Sequence, residues 1–260
     1  MRRVIDAAAD ELAAHVAGTD RGRVTLSDPD AEFVERFDRL VARRAARVPL
    51  QHLTGSAPFG PVTVEVGPGV FIPRPETESL LEWAVAQPFS QRPLIVDLCT
   101  GSGALALALA VQWPGARVIA VDDSNDALVY ARRNVRGTSV ELLRADVTAA
   151  GLLTEIDGTV DLVVANPPYI PSGAELEPEV AHYDPPHALY GGDDGMAVID
   201  HLPFLATRLL RPGGFCAVEH DDTTSERTVE AFTRASRCVE VTARHDLTGR
   251  PRFVSAVRAE

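Results

Sequence analysis

From Leu94 onward the sequence alternates short apolar runs with helix-length segments, and no other pattern in the chain restricts the fold so strongly. Runs near 94–98, 117–121, 139–143, 160–165 and 214–219 have the unbroken apolar character of strands covered on both faces, and the segments between them leave room for crossover helices. That alternation predicts an α/β fold with a parallel sheet. Two more runs, near 238–244 and 252–258, are separated only by His245 to Pro251, which is too short for a crossover helix. They are expected to pair antiparallel, giving a mostly parallel seven-stranded sheet with one antiparallel strand.

A different pattern precedes the alternation. Val4, Ile5, Ala8, Leu12 and Val16 recur at helical spacing as far as Gly18, and Asp28-Pro29 reads as an N-cap followed by a first-turn proline. Phe33, Phe37, Leu40 and Val41 mark the apolar face of a second helix, and Arg43, Arg44 and Arg47 crowd its end, where positive charge complements the helix dipole. Residues 1–55 are thus expected to form a small helical module, too small to be stable unless it docks. Residues 56–72, with Val62, Val64 and Val66 in alternation, are expected to form a β-hairpin linker, and residues 73–260 the main domain.

Composition narrows the function. The 260 residues are 45% hydrophobic, enough for one full α/β domain and an appendage. A formal net charge of -12 argues against a broad electrostatic footprint for nucleic acid or an anionic membrane. Cys99, Cys216 and Cys238 are widely spaced, and the histidines show no metal-ligand spacing, so neither a disulfide framework nor a metal site is expected. Met1-Arg2-Arg3 is followed by Asp6, Asp10 and Glu11 rather than by the apolar core of a signal peptide, and the run Ala104 to Val111 is too short to span a bilayer. The expected location is the cytoplasm.

Polar residues gather at the predicted carboxyl ends of the strands, the edge where open α/β sheets bind ligands. In Asp97-Leu98-Cys99-Thr100-Gly101-Ser102-Gly103 the two glycines allow a tight turn and a close approach of backbone to ligand. Asp122 ends the second strand, where a carboxylate can accept from ribose hydroxyls, and Asp146 after the third can accept from an exocyclic amine such as that of adenine. Asp97 would repel a pyrophosphate and attract an ammonium, which favours S-adenosylmethionine over a dinucleotide. The run Leu162 to Ala165 ends in Asn166-Pro167-Pro168-Tyr169-Ile170. Its prolines fix φ and donate no hydrogen bond, so the Asn166 and Pro167 carbonyls join the Asn166 side-chain oxygen as acceptors beside an aromatic ring. That cluster suits a planar NH2 group; the other reading is a tight turn in which Asn starts the bend and Tyr packs. Pro171 to Tyr190, with Glu175, Glu177 and Glu179, reads as a lid over the pocket, and Gly191-Gly192-Asp193-Asp194-Gly195 as a turn before the next helix.

Phe71-Ile72-Pro73-Arg74-Pro75-Glu76-Thr77-Glu78, the Asp97 to Gly103 turn and Asn166 to Ile170 together resemble the HemK/PrmC-type peptide chain release factor glutamine methyltransferases. The resemblance continues through Pro49 to Gly55, Gly191 to Gly195, Leu210 to Gly214 and Asp246 to Arg250, and so covers nearly the whole chain. Asn-Pro-Pro-Tyr alone is shared with nucleobase amino-methyltransferases; Pro-Arg-Pro-Glu-Thr-Glu is much more specific. What the resemblance implies is a Rossmann-like domain of the class I S-adenosylmethionine-dependent methyltransferases with a small N-terminal helical, substrate-docking domain. The implied reaction moves a methyl from S-adenosylmethionine to the side-chain amide of the Gln in the Gly-Gly-Gln tip of release factors, leaving S-adenosylhomocysteine. It further implies cofactor binding by Asp97, Thr100, Gly101, Gly103, Asp122, Asp146, Val147 and Asn166. Catalysis would fall to Asn166, Pro167 and Tyr169, and substrate contact to these with Pro168, Arg74, Pro75, Glu76 and Thr77. Three features depart from the family pattern: an N-terminal module shorter by about a helix, Ala57-Pro58-Phe59-Gly60 in place of a more aromatic and acidic turn, and Glu219-His220-Asp221-Asp222, which lacks a glycine and a glutamine. An enzyme acting on a ribosomal-protein glutamine or a nucleobase, and a non-catalytic cofactor-binding module, are the alternatives.

Overall fold

The apolar runs become strands wherever they can be covered on both faces. The computed structural model describes residues 2–24, 29–235 and 237–260, with side chains from Ala8 onward. Helices α1 (Arg2–Ala17), α2 (Ala31–Ala45) and α3 (Leu50–Thr54) are followed by the strands β1 (Ser56–Phe59) and β2 (Val62–Glu65) of an antiparallel hairpin. After α4 (Glu78–Val85) come β3 (Leu94–Leu98), α5 (Ala104–Gln112), β4 (Arg117–Asp122), α6 (Asn125–Asn134), β5 (Val140–Arg144) and β6 (Val160–Ala165). Two short helices, α7 (Pro178–Tyr183) and α8 (Pro186–Leu189), lead to α9 (Leu202–Leu209), β7 (Leu210–Glu219), α10 (Ser225–Arg234), β8 (Cys238–His245) and β9 (Pro251–Arg258).

The seven-stranded sheet has the order β5-β4-β3-β6-β7-β9-β8. All its pairs are parallel except those of β9, which is inserted antiparallel between β7 and β8. This is the mostly parallel Rossmann-like sheet with one antiparallel strand that the sequence predicts. Alternate residues serve opposite faces. Ile95, Val118, Leu162 and Val164 pack with α4 and α5 on one side, while Val96, Leu98, Ile119, Val163 and Ala165 pack with α9 and α10 on the other. One strand differs in extent: β7 begins at Leu210 rather than 214, because a register shift places Val160 opposite Leu210 and Leu162 opposite Phe215.

At the N-terminal end Leu12 and Val16 are buried, whereas the Val4 and Ile5 side chains lie outside the described residues. The cap expected at Asp28 also lies outside them. Pro29 precedes the helix rather than standing in its first turn, and Asp30 is the N-cap, accepting from Phe33 N at 2.8 Å. The apolar side of α2 is only half-covered, with Phe33 and Phe37 stacked at 6.0 Å and Val34 and Val41 exposed. The arginines at its end do more than offset a dipole: Arg44 pairs with Glu179 at 3.0 Å, and Arg47 reaches Glu177 and Glu179 at 3.4 and 3.3 Å. They tie α2 to α7, in the segment read as a lid. No helix among the described residues is long and apolar enough to cross a membrane.

At the amino-terminal edge of the sheet Asp161 joins three strands. Its Oδ2 accepts from Leu94 N at 2.8 Å and its Oδ1 from Arg211 Nε at 2.6 Å, so β3, β6 and β7 share one half-buried carboxylate. Removing it leaves a backbone donor and a guanidinium without their acceptor. Asp161→Ala is expected to lower unfolding free energy by about 1–3 kcal/mol in urea denaturation, with ligand affinity at the opposite edge unchanged.

Candidate active site

The sheet changes direction beside β3. Strand β4 lies on one side of it and β6 on the other, and a crevice opens between their carboxyl ends at such a switch. Leu98 stands opposite Ala165, so the chain leaves β3 at Cys99 and β6 at Asn166 side by side. The cavity at this point is lined by Asp97, Thr100, Gly101, Asp122, Asp146, Val147, Thr77 and Asn166 to Tyr169, all named from the sequence. Four of the sequence-named residues do not line it. Gly103 instead caps α5 with φ of 79° and would bring a Cβ against Ala131 and Val135. Arg74 pairs with Asp184 at the end of α7 and lies over the Phe71 ring at 4.8 Å, and Pro75 and Glu76 continue the same turn away from the cavity wall.

Each carboxylate is held differently. Asp97 is 1% exposed, and its Oδ2 accepts from Thr100 Oγ1 at 2.5 Å and Ala106 N at 3.1 Å. Burial pushes its pKa up to about 7, these hydrogen bonds only partly offsetting the loss of water. Asp122 braces the glycine turn: Oδ2 accepts from Gly101 N at 2.8 Å and Oδ1 from Ser124 N at 2.9 Å, yet burial still raises its pKa. Asp146, exposed at the end of β5, accepts from Thr148 N and Oγ1, both at 2.7 Å, and these bonds lower its pKa. None of the groups bonded to Asp97 is a cation, so a buried, partly satisfied carboxylate faces the cavity from the turn. A ligand bearing an ammonium and hydroxyls matches that donor-poor edge.

On the other wall Asn166 donates through Nδ2 to Thr77 Oγ1 at 3.0 Å. Neither the Asn166 nor the Pro167 carbonyl is an acceptor in the described backbone bonds of the turns and loops. Tyr169 donates its hydroxyl to Glu219 Oε1 at 3.0 Å, and burial with Glu219 beside it raises its pKa well above the phenol range. It stays protonated at neutral pH.

Several contributors were not read as functional in the sequence. The segment read as a hairpin linker also forms part of the wall, through Phe59 of the hairpin and Gly69 and Phe71 beyond it, and Asn134 ties Glu65 of β2 to the Ser102 carbonyl of the glycine turn. Within the segment already read as a lid over the pocket, Pro185, His187, Ala188 and Leu189 are the residues that line the cavity. Glu219, fully buried at the end of β7, carried the same signal as Asp97 and Asp122: an apolar run ending in a carboxylate. The Gly191 to Gly195 turn has a second role besides leading to α9. Ile170 N bonds Leu189 O at 2.8 Å and Gly191 N bonds Ile170 O at 2.9 Å, and the turn packs directly on the Pro168 and Tyr169 carbonyls.

A Rossmann-like sheet whose switch-point crevice pairs an ammonium-seeking carboxylate with an Asn-Pro-Pro-Tyr edge defines an S-adenosylmethionine-dependent methyltransferase. Comparison with known proteins agrees. Residues 67–183 match the methyltransferase small domain and residues 5–55 the PrmC N-terminal domain. The release factor glutamine methyltransferase of Mycolicibacterium smegmatis is 69% identical over 251 residues, covering 96% of this chain and 89% of that protein. That of Mycobacterium tuberculosis is 61% identical over 255 residues, covering 96% and 84%. A methyltransferase from Pyrococcus furiosus shares the fold, with a TM-score of 0.59 at 19% identity over 84% of this chain and all of that one. The chain belongs to the HemK/PrmC family of release factor glutamine methyltransferases.

The packing of the glycine turn on the acceptor edge is open to test. Gly195 has φ of 78°, and a Cβ there would collide with the Tyr169 carbonyl oxygen. Gly195→Ala is expected to cost about 2–4 kcal/mol of stability from left-handed strain and overpacking, and to lower turnover, read by thermal melting and by a methyl-transfer assay.

Proposed function

We propose that this enzyme methylates the side-chain amide nitrogen of the Gly-Gly-Gln glutamine of peptide chain release factors, using S-adenosylmethionine. The observation that carries the proposal is the Asn166 edge: an amide whose NH2 is already committed to Thr77, leaving Oδ1 and the Pro167 carbonyl as acceptors at the cavity wall. A glutamine amide presents two N–H donors in one plane, which those two acceptors match. The sequence relatives, named for this reaction, support the same reading. Such a substrate is met in the cytoplasm, and the N-terminal helices, with the half-covered side of α2, are proposed as the surface on which the release factor docks.

When bound, the cofactor supplies an electrophilic methyl group on a sulfonium. Asp97 and the Thr100-Gly101 turn would hold its amino-acid end, Asp122 the ribose, and Asp146 with Val147 the adenine. The amide nitrogen is a weak nucleophile because its lone pair is delocalised, and the protein's task is to place it. Asn166 Oδ1 and the Pro167 carbonyl fix both N–H bonds, and Tyr169, anchored through its hydroxyl, packs on the amide plane with Pro168 behind it. Orientation of this kind can supply on the order of 7–11 kcal/mol. The same acceptors stabilise positive charge as it develops on nitrogen, and one N–H proton is lost as the neutral N-methyl amide forms.

Asn166→Ala is expected to reduce methylation by at least about a hundredfold with cofactor binding largely intact. Mass spectrometry of the Gly-Gly-Gln peptide, with labelled cofactor offered separately to release factor and nucleic acid, reads the outcome. Label confined to nucleic acid, or unchanged turnover in the variant, overturns the proposal.

Cofactor binding also carries a pH signature. A cation binds ionised Asp97, and in the free enzyme that carboxyl takes up a proton as pH falls through about 7. Affinity should therefore weaken from pH 8 to pH 6, by up to about tenfold per unit below 7, levelling once the bound state also protonates. Calorimetry of Asp97→Asn should show weaker binding without that slope.

A further inference from the structure

Behind the Asn-Pro-Pro-Tyr edge lies a buried acid that the reaction as described does not use. Glu219 is 0% exposed at the carboxyl end of β7. Its Oε1 accepts from Tyr169 and its Oε2 is buried without a partner in hydrogen-bond geometry. The Thr77 hydroxyl lies near enough to the same carboxyl to favour its ionised form, and turning its proton there would give the orphaned Oε2 a donor. Thr77 in turn receives Nδ2 of Asn166.

The direction of these bonds is constrained. A carboxylate only accepts, so each hydroxyl touching it must donate. Thr77 has a single proton, and once that is turned toward Glu219 its oxygen can only accept from Asn166. The NH2 of Asn166 is then committed, and Oδ1 is the end left for the cavity. The two ends of an asparagine amide are nearly identical in size, so shape alone cannot choose between them. Were Thr77 free to turn, it could donate to Oδ1, and the NH2 of Asn166 would face a substrate that also brings N–H donors.

The geometry points to Glu219 as a positioning residue: through the Thr77 hydroxyl it sets which end of the Asn166 amide meets the substrate, and through the Tyr169 hydroxyl it fixes the neighbouring ring. This rests on the reading of Asn166 as the amide acceptor. Three segments far apart in the chain converge here, since Thr77 and Asn166 are 89 residues apart and Tyr169 and Glu219 are 50 apart. The polarity of the relay depends on ionisation. Burial pushes Glu219 up to about 7, opposed by Thr77, by Tyr169 and by Arg252 of β9, with Glu76 of the neighbouring turn adding to the rise. His220, the next residue, is buried and held toward its neutral form by burial, and Arg252 is itself bonded to Asp246. A protonated Glu219 can donate to Thr77, and the orientation of Asn166 is then no longer enforced.

The test measures methylation of a release factor at saturating cofactor, which removes the titration of Asp97 from the rate. In the wild type kcat should fall as pH drops below about 7, approaching tenfold per unit. Glu219→Gln, nearly the same shape but carrying its own NH2 donor, should lose about a hundredfold in kcat with the cofactor KM little changed, and its low rate should be flat across that range. Thr77→Val should behave alike, and Thr77→Ser should recover most of the rate, which a purely structural role for Glu219 would not produce. If the Gln variant melts too early to assay, the Thr77 pair decides. Wild-type kcat and pH profile in Glu219→Gln or Thr77→Val, alongside an inactive Asn166→Ala, would overturn the relay while sparing the amide-acceptor reading; an active Asn166→Ala would overturn that reading itself.

Discussion

The position of β6 beside β3 is the constraint on which the site depends. With β4 on the other flank, the connections leave β3 and β6 in opposite directions and cannot fill the space between them. Leu162 to Ala165 are fully buried, and a one-residue slip would exchange the two faces of the strand, so core packing fixes the register of Leu98 against Ala165. The place where Asn166 leaves the sheet is therefore set by the hydrophobic core rather than by the loop that carries it.

The cost of this arrangement is a row of acids along one edge, some of them desolvated. Asp146 and Asp246 are answered within the protein: Thr148 bonds the first, Thr248 and Arg252 the second, and both pKa values lie below the ordinary range, that of Asp246 at about 2. Asp97 and Glu219 also accept from hydroxyls, but burial outweighs those bonds and raises both to about 7. For such groups the folded pKa exceeds the unfolded one, so they favour the fold when protonated, and that contribution is lost as pH rises through about 7. The two acids divide the edge by role. Asp97 opens to the cavity, where a bound cation would restore what burial removed and so link its binding to folding. Glu219 faces only the interior of the protein, where the Tyr169 hydroxyl donates to it, and that proton acquires a fixed direction.

The sheet was legible because its signals are local: β3, β4, β6 and β9 coincide with their apolar runs to within a residue or so, and the short interval before β9 declared its antiparallel sense. The carboxylates of the crevice were legible for a related reason, since Asp97, Asp122 and Asp146 each stand at or just beyond a strand end and all line the cavity. What escaped were pairings between distant segments. Nothing near Arg74 in sequence shows that Asp184, 110 residues away, is its partner, so its tie to the lid could not be read there. Glu219 sat in a stretch noticed only for what it lacked. The early start of β7 was hidden because Leu210-Arg211-Pro212-Gly213-Gly214 looks like a turn, and pairing across a bulge is a property of the neighbouring strand.

The lid shows how a rigid edge and an admissible substrate can coexist. Its root is stiff: the Ile170 and Tyr190 backbones bridge, Gly191 and Gly195 press on the Pro168 and Tyr169 carbonyls, and two prolines remove freedom from the acceptor segment itself. Its tip is held otherwise, by Arg44 and Arg47 on Glu177 and Glu179, part-exposed pairs each worth about 0–1 kcal/mol. Between them the Arg74–Asp184 pair, with Asp184 buried, is costlier to break and pins the lid beside the Pro-Arg-Pro turn. Opening is therefore cheapest at the α7 tip, the part tied to the N-terminal helices, and leaves the acceptors of Asn166 and Pro167 undisturbed. A protein docking on those helices would meet the same arginines that hold the tip, so docking and access to the cavity would draw on one set of weak ion pairs.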